Sequence, residues 1–175
     1  MKDSPEFKDL YKPLFTIEDV ADVAKLPHST LRMWPNRKVI SLSTSYTPGP
    51  LAGRGTKALY SVYDAMQFLL LAEVTKDTYS VKALADNCLS EVLEVVLNRL
   101  SEMADGVNHG RNVDPCDREN AFERYVFLCE KDGKIHCTQE FRAWSEHGRV
   151  SWYTIDAIDL AAKVYAMYLK KTGTA

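Results

Sequence analysis

The chain of 175 residues lacks a long apolar run. Its longest stretch of this kind covers residues 68–72, whereas a membrane-spanning helix needs about 20 consecutive apolar residues. The opening residues, MKDSPEFKDLY, also lack the apolar segment of a secretory signal. Because 46% of the residues are hydrophobic, a packed core is nevertheless expected. We therefore expect a folded cytoplasmic protein without a membrane partner.

Cysteine is scarce and irregularly spaced. The chain has four cysteines, and none forms the CxxC pair that is typical of zinc ribbons and fingers. A site could be imagined from Cys116, Cys129, His136 and Cys137, but adjacent residues of a strand point to opposite faces. We therefore expect free thiols, no metal and no cofactor.

Enzyme signatures are missing as well. The sequence contains no P-loop, no GxSxG nucleophile motif and no HExxH metal motif. Asp156 and Asp159 fall on one helix face, but carboxylates near a helix start are more simply a solvated face. We therefore predict that the protein is not an enzyme.

Acidic residues are absent from one long stretch, residues 25–57. This stretch carries six basic residues, whereas residues 77–175 carry 12 basic and 16 acidic residues. The whole chain has a net charge of −2. A basic patch beside an acidic remainder is typical of a nucleic-acid-binding module joined to another unit. Chance clustering on a solvated loop is the alternative.

Two short helices are expected around the start of the basic stretch. Thr16, followed by two acidic residues and by apolar residues at helical spacing, is typical of a helix start. After a turn at residues 25–27, a second helix is expected from His28 to Trp34, because Pro35 cannot continue it. Two short helices joined by a tight turn form a helix-turn-helix.

The pattern after this second helix changes from helical spacing to alternation. Residues 39–42 predict a short strand, residues 44–56 a loop rich in glycine and proline, and residues 57–60 a returning strand. Two strands around a basic loop would form a wing. Ser61 and Asp64 then predict a capped third helix that packs under the first two.

The second helix carries side chains that suit a DNA groove. Its start offers small polar groups for base edges, and its free backbone N–H groups can bind phosphate. Arg32 shares the face of His28 and Ser29, whereas Leu31 points toward the core. Trp34 either lies across the sugar–phosphate backbone or closes the core.

The region of residues 15–78 resembles the winged helix-turn-helix of the MerR-type regulators. The resemblance is carried by Phe15-Thr16-Ile17, Val20-Ala21, HSTLRMW at residues 28–34 and LYSVYDA at residues 59–65. The chain departs from the family pattern in its long wing, in Lys57-Ala58-Leu59 where paired arginines are usual, and in Met33 where an aromatic is usual. No coiled coil followed by a cysteine metal loop is visible, so metal sensing is not implied. The long wing is similar to MerR-like modules of phage- and prophage-associated proteins.

The resemblance implies a recognition helix and a wing that contact double-stranded DNA. It places Ser29, Thr30, Arg32 and Trp34 on the recognition helix, Arg54 and Lys57 on the wing, and Tyr60 at the end of the wing. With the neighbouring basic and polar residues included, the candidate DNA-binding residues are His28, Ser29, Thr30, Arg32, Trp34, Arg37, Lys38, Arg54, Lys57 and Tyr60.

The rest of the chain predicts a helical connector and a small α+β unit. A heptad-like stripe indicates either packing within the chain's own core or a dimer helix; its members are Leu89, Leu93, Val96, Leu100 and Met103. Two apolar runs around Asp132-Gly133 predict a β-hairpin. Residues 151–171 predict an amphipathic helix with an apolar face that includes Ile155, Ile158 and Ala162.

These patterns predict a mainly α, α+β fold in four parts. The parts are a flexible arm (1–13), a winged helix-turn-helix domain (14–78), a helical connector or dimer helix (79–105) and a C-terminal α+β unit for dimerisation or partner contact (106–175). The expected function is sequence-specific binding of double-stranded DNA by a homodimeric transcriptional regulator of the bacterial cytoplasm or nucleoid. A phage packaging or excision factor with the same module is an alternative. Another is an interaction module that binds the transcription machinery.

Overall fold

The computed structural model describes residues 9–43, 58–75, 81–105, 124–131, 134–138 and 152–173. These residues form six helices: α1 (Ile17–Ala24), α2 (His28–Asn36), α3 (Val62–Val74), α4 (Val81–Asn87), α5 (Leu89–Ala104) and α6 (Ala157–Thr172). They also form three strands: β1 (Tyr125–Lys131), β2 (Lys134–Thr138) and β3 (Trp152–Asp156). The strands make an antiparallel sheet in the order β2-β1-β3. The prediction of a mainly helical α+β chain is confirmed for these ranges.

None of the helices in these ranges combines the length and the apolar character that crossing a membrane requires.

The central helix is α3. Of its 13 residues, 11 are buried, as expected for a helix that other elements enclose on all sides. It packs against α1, and also against α5 and α6. Phe68, Leu70 and Leu71 are fully buried in it. The N-terminal helices and the C-terminal unit therefore share one hydrophobic core.

A short turn joins α1 to α2, and the two helices pack against each other. Thr16 begins α1 with a capping box, in which the Thr16 N–H donates to Asp19 Oδ2 at 2.7 Å and the Asp19 N–H donates to Thr16 Oγ1 at 3.3 Å. Lys25 ends α1 in the left-handed region with φ 57°, and its N–H donates to the Ala21 carbonyl at 2.9 Å. The two predicted helices are confirmed.

The end of α2 lies two residues beyond the predicted one, at Asn36. Pro35 stands in the last turn, where it forgoes only the hydrogen bond of its own missing N–H group. The helix ends in a Schellman motif, because the Val39 N–H donates to the Trp34 carbonyl at 2.9 Å and the Lys38 N–H to the Pro35 carbonyl at 3.0 Å. Lys38 holds the left-handed position of this motif, with φ 56°.

The predicted wing strand at residues 39–42 is wrong, since these residues form no strand. Ile40 is buried, and polar side chains of α3 bind the residues that follow it. Tyr60, expected in the returning strand, instead forms an isolated antiparallel bridge with Phe15; the Tyr60 N–H donates to the Phe15 carbonyl at 2.7 Å. Arg54 and Lys57 lie outside the described residues.

The C-terminal sheet confirms the predicted hairpin and adds a strand. β1 and β2 pair so that Lys131 lies opposite Lys134. Residues 152–156 are β3 and not the start of the terminal helix, because aromatic and β-branched residues fit the strand that pairs with β1. Asp156 ends this strand and caps α6, accepting from the Asp159 N–H at 3.0 Å.

The heptad-like stripe of α5 packs inside the chain. Leu93, Val96 and Leu100 are buried, and α5 packs along α6. Of the two interpretations of the stripe, the structure therefore supports packing within the chain's own core. The stripe is not available as the surface of a dimer helix.

The part of the predicted arm that the structure describes, residues 9–13, is docked on the helices. Leu10 is buried, and its carbonyl accepts from the Tyr63 N–H at 3.0 Å. Tyr168 Oη donates to Asp9 Oδ2 at 2.8 Å. Within the predicted arm, Asp9 and Leu10 therefore both have partners in the fold.

Candidate nucleic-acid interface

One side of α2 and its C-terminal turn carry most of the predicted DNA-binding residues. We call this side the α2 surface; its exposed members are His28, Ser29, Arg32, Arg37 and Lys38. Thr30 is half-buried at its edge, and Leu31 is fully buried on the opposite side. The predicted division between an inward Leu31 and an outward Arg32 is confirmed.

The N-terminus of α2 is not neutralised by a side chain. Capping boxes neutralise the starts of α1 and α3, each with an aspartate in the first turn. By contrast α2 follows Pro27, makes no side-chain cap hydrogen bond and has no acidic residue in its first turn. The positive end of its dipole therefore lies beside His28 and Ser29, both of which are exposed.

The basic side chains of the α2 surface keep their charge available. Within the described ranges, no acidic side chain forms an ion pair with Arg32, Arg37 or Lys38. Acidic residues elsewhere are paired: Asp19 lies 2.8 Å from Lys171, and Asp156 lies 2.7 Å from Arg124. The charge asymmetry of the sequence is thus also present on the folded chain.

Trp34 and Tyr60 do not belong to this surface. Trp34 is 3% exposed and stacks on Phe68 with ring centroids 6.2 Å apart. Tyr60 is 8% exposed and meets the same Phe68 edge-on at 5.3 Å. The assignment of Tyr60 to DNA contact is corrected, and of the two positions considered for Trp34 the structure has the one in the core. Both rings pack under α2 and help to fix the orientation of the helix.

The buried hydroxyl of Tyr60 lies within the electrostatic influence of Arg32. Burial raises the pKa of the Tyr60 hydroxyl, and the nearby charges of Asp64 and Glu18 add to this effect. The positive charge of Arg32 opposes them without cancelling the rise. Tyr60 is therefore a neutral buried phenol, whereas Arg32 is exposed.

Asp64 connects α3 to the start of the predicted wing loop. This buried carboxylate accepts from the Ser43 N–H at 2.7 Å and the Ser43 hydroxyl at 3.0 Å. Its other oxygen accepts from the Ser61 N–H at 3.0 Å and the Ser61 hydroxyl at 2.8 Å. Sequence reasoning assigned Asp64 a capping role only, because Ser43 lies 21 positions away.

Both ends of the predicted wing loop are held at the start of α3. The hydroxyls of Ser43 and Ser61 lie 2.7 Å apart. Gln67, also buried, donates to the Ser41 carbonyl at 3.2 Å. Residues 41–43 and 60–61 are therefore fixed against one helix. Arg54 and Lys57 fall between these two segments, outside the described residues.

The cysteines meet in a combination that the spacing did not predict. Cys137 lies beside Cys88 and Glu91, and ligand atoms of the three side chains lie within 4.8 Å of one another. His136 follows the opposite face of β2 and is exposed. Cys116 lies outside the described residues. The signal that could have found this group is the spacing of three between Cys88 and Glu91 at a helix start.

Comparisons with known proteins returned no relative. No family model, no curated protein and no solved structure matches the chain. The likeness to the MerR-type regulators rests on residues of the sequence alone.

Proposed function

We propose that the protein binds double-stranded DNA with sequence specificity through the α2 surface, as a transcriptional regulator of the bacterial cytoplasm. The observation that carries the proposal is α2 itself. It is a short helix with an unneutralised N-terminus, small polar residues in its first turn and Arg32 exposed on its outer side; Arg37 and Lys38 are exposed in the turn that follows it. Such a helix fits a major groove, which admits one α-helix.

Each group of the α2 surface has a role in this proposal. The backbone N–H groups at the helix start and the basic residues at its end bind phosphates, which position the helix. Arg32, in the middle of the outer side, is the group suited to a paired contact with guanine O6 and N7. His28 and Ser29 supply further polar contacts to base edges. The buried rings of Trp34 and Tyr60 hold the helix in place from below.

The proposal includes a homodimer because one module buries little protein surface against DNA. One DNA-reading module buries about 600–1,000 Å² of protein surface, which limits its specificity. Two copies on a pseudopalindromic site would double the buried area. The α5 stripe does not supply the dimer contact, since it is buried within the chain.

The test begins with a pool of random duplexes, from which bound sequences are selected and then titrated at several salt concentrations. Replacing Arg32 with alanine should weaken binding of the selected duplex about 5- to 150-fold, the effect of removing one bidentate hydrogen-bonding interaction with a base. Replacing Arg37 and Lys38 should weaken all duplexes and reduce the salt slope by about 1 for each phosphate that is no longer neutralised. Lys170→Ala, an exposed change on α6, is the control that should leave affinity unchanged.

Two results would contradict the proposal. Undetectable duplex binding at low salt would favour the interaction module that binds the transcription machinery. Unchanged binding by Arg32→Ala would place the reading helix elsewhere. Sequencing the DNA that co-purifies with the chain separates a transcriptional regulator from a packaging or excision factor, because promoter-proximal sites are expected only for the regulator.

A further inference from the structure

Two thiols and a carboxylate converge where α5 begins beside β2. Cys88 is the N-cap residue of α5, Glu91 lies in its first turn, and Cys137 lies on β2. The Cys137 thiol donates to Glu91 Oε2 at 2.6 Å. The Cys88 thiol donates to the Ile135 carbonyl, also on β2, at 3.1 Å. The three residues come from a helix and a strand that are distant in sequence, so tertiary packing alone brings them together.

The fold holds this group in place from both sides. The spacing of three between Cys88 and Glu91 directs both side chains toward the helix start, as in a capping box. On β2, the buried Ile135 and the half-buried Cys137 share one face, whereas His136 is exposed on the other. Helix α4, which ends just before Cys88, packs against β2. The thiols therefore meet without any distortion of an element.

We propose that Cys88, Glu91 and Cys137 bind a thiolate-preferring divalent transition metal ion, with Zn²⁺ as the natural occupant. Zn²⁺ takes cysteine sulfur, histidine nitrogen and carboxylate oxygen as ligands. Two thiolates favour such an ion over Mg²⁺ and Ca²⁺, which prefer oxygen ligands throughout. Both thiols would release their protons to solvent on binding, and the three negative ligands would then carry one charge more than the ion neutralises.

The distances suit a tetrahedral ion after small side-chain rotations. Zinc–sulfur and zinc–oxygen bonds place tetrahedral ligand atoms about 3.5–3.8 Å apart. The ligand atoms in this group lie within 4.8 Å of one another. No fourth histidine, cysteine or carboxylate belongs to the group within the described ranges. Three protein ligands leave one position for water, the arrangement of zinc sites that stay open to a further ligand.

The helix start favours ionised sulfur at Cys88. A cysteine at a helix N-terminus is stabilised as thiolate by the free N–H groups and the helix dipole. By contrast, hydrogen bonding with Cys88, burial and the hydrogen bond to Glu91 raise the pKa of the Cys137 thiol, so Cys137 stays protonated until an ion displaces its proton. Cys88 is 1% exposed, so a bound ion would be shielded from solvent on that side.

The experiment titrates the full-length chain, reduced and stripped of metal under anaerobic conditions, with Co²⁺ as the probe. We expect one ion per chain, sulfur-to-cobalt charge-transfer absorption in the near ultraviolet, and loss of that absorption when Zn²⁺ is added. Cys137→Ser and Cys88→Ala should each abolish the signal, and Glu91→Gln should weaken binding by about tenfold or more. The double variant Cys116→Ser/Cys129→Ser is the matched control, because it removes two thiols but should keep the signal.

A second measurement keeps the test independent of variant folding. Zn²⁺ should raise the melting temperature of the unaltered chain and of the Cys116/Cys129 control, but not that of Cys137→Ser, whose change is at a half-buried position. Absence of the cobalt signal in the unaltered chain, or its persistence in Cys137→Ser, overturns the proposal. A Cys88–Cys137 disulfide formed with an added oxidant, without metal uptake by the reduced chain, overturns it as well. The outcome is independent of DNA binding.

Discussion

Lys25 and Lys38 both hold left-handed backbone conformations, with φ 57° and 56°. A side chain with a Cβ atom is disfavoured there, and glycine is the usual residue. Both lysines end a helix, Lys25 after α1 and Lys38 after α2. Only Lys38 belongs to the α2 surface. A comparison of the two lysines therefore distinguishes the effect of the left-handed backbone from the proposed DNA contact of Lys38.

Replacing either lysine with glycine should raise the free energy of unfolding by about 0.5–1 kcal/mol, because the strain of a left-handed residue is removed. Urea unfolding measures this change. In the DNA titration, Lys38→Gly should weaken binding and reduce the salt slope by about 1, whereas Lys25→Gly should do neither. Equal reductions of DNA affinity in both variants would remove Lys38 from the proposed interface.

The sequence predicted which side of α2 is exposed better than it predicted the burial of the aromatic residues Trp34 and Tyr60. Leu31 and Arg32 follow helical periodicity, so one inward and one outward position could be assigned. Trp34 and Tyr60 were assigned to DNA, but their burial depends on Phe68, which packs against both rings. Local spacing carries no information about that contact. The meeting of Cys88 with Cys137 is unpredictable for the same reason.

At the scale of elements, the sequence predicted helix starts and the hairpin turn more reliably than it predicted which strands pair. The capping residues of α1 and α3 and the Asp-Gly hairpin turn were predicted, and each depends on residues close in sequence. The predicted strand at residues 39–42 was wrong, because a hydrogen bond from Gln67 to the Ser41 carbonyl and one from the Ser43 N–H to Asp64 hold this segment against α3. The apolar Ile40 in this segment is buried in the core and does not belong to a paired strand.

The start of α6 shows how two periodicities can compete. Residues 152–155 fit a strand and a helix, and only pairing with β1 selects the strand. As a result the inward face of α6 also differs from the predicted one. Ile158 is half-buried and Ala162 is exposed, whereas the buried residues are Ala157, Leu160, Ala161, Val164 and Met167.

Asp19 links α1 to α6 and should give the fold a specific dependence on pH. Burial alone would raise the pKa of the Asp19 carboxyl, but hydrogen bonds from Lys171 and Thr16 outweigh burial and lower it. A lowered folded-state pKa means that the carboxylate stabilises the fold above the unfolded pKa of about 3.9. That contribution is lost as the pH falls through the folded-state pKa.

We predict that Asp19→Asn lowers the free energy of unfolding by about 1 kcal/mol at neutral pH, the combined scale of a lost cap and a partly exposed ion pair. The difference from the unaltered chain should shrink below a pH of about 4. Urea unfolding at a series of pH values measures it. Asp22→Asn, exposed on the same helix, should change stability by less than about 0.5 kcal/mol throughout. A deficit that grows on acidification would contradict this linkage.

At the scale of the whole molecule, α3 packs against helices on both sides of the domain boundary that the sequence predicted after residue 78. The helix contributes to the N-terminal core through Phe68 and also packs against α5 and α6. Tyr153 donates to the Glu73 carbonyl at 3.0 Å, which ties β3 to the end of α3. The sequence indicated only a capped third helix that packs under the first two. The sequence did not indicate which later helices enclose it.

One shared core predicts one cooperative unfolding transition. Leu160→Ala, a change at a buried position of α6, should destabilise the chain by about 2–5 kcal/mol. Because the core is shared, hydrogen exchange of the amides in α1 and α3 should accelerate along with that of α6. Ala162→Ser, at an exposed position on the same helix, is the control. Unchanged exchange in α1 and α3 would show that the N-terminal helices fold independently.

The packing of α6 on α3 also bears on how the chain assembles during synthesis. About a hundred residues separate the end of α3 from the end of α6, and they take about 5–20 s to translate. Until α6 leaves the ribosome, one side of α3 has no partner, although α1 and α2 are already made. Over that interval α3 is covered by α1 and then by α5, but the side that packs on α6 stays exposed. This is when a chaperone would find its binding site, and when slow translation would favour aggregation.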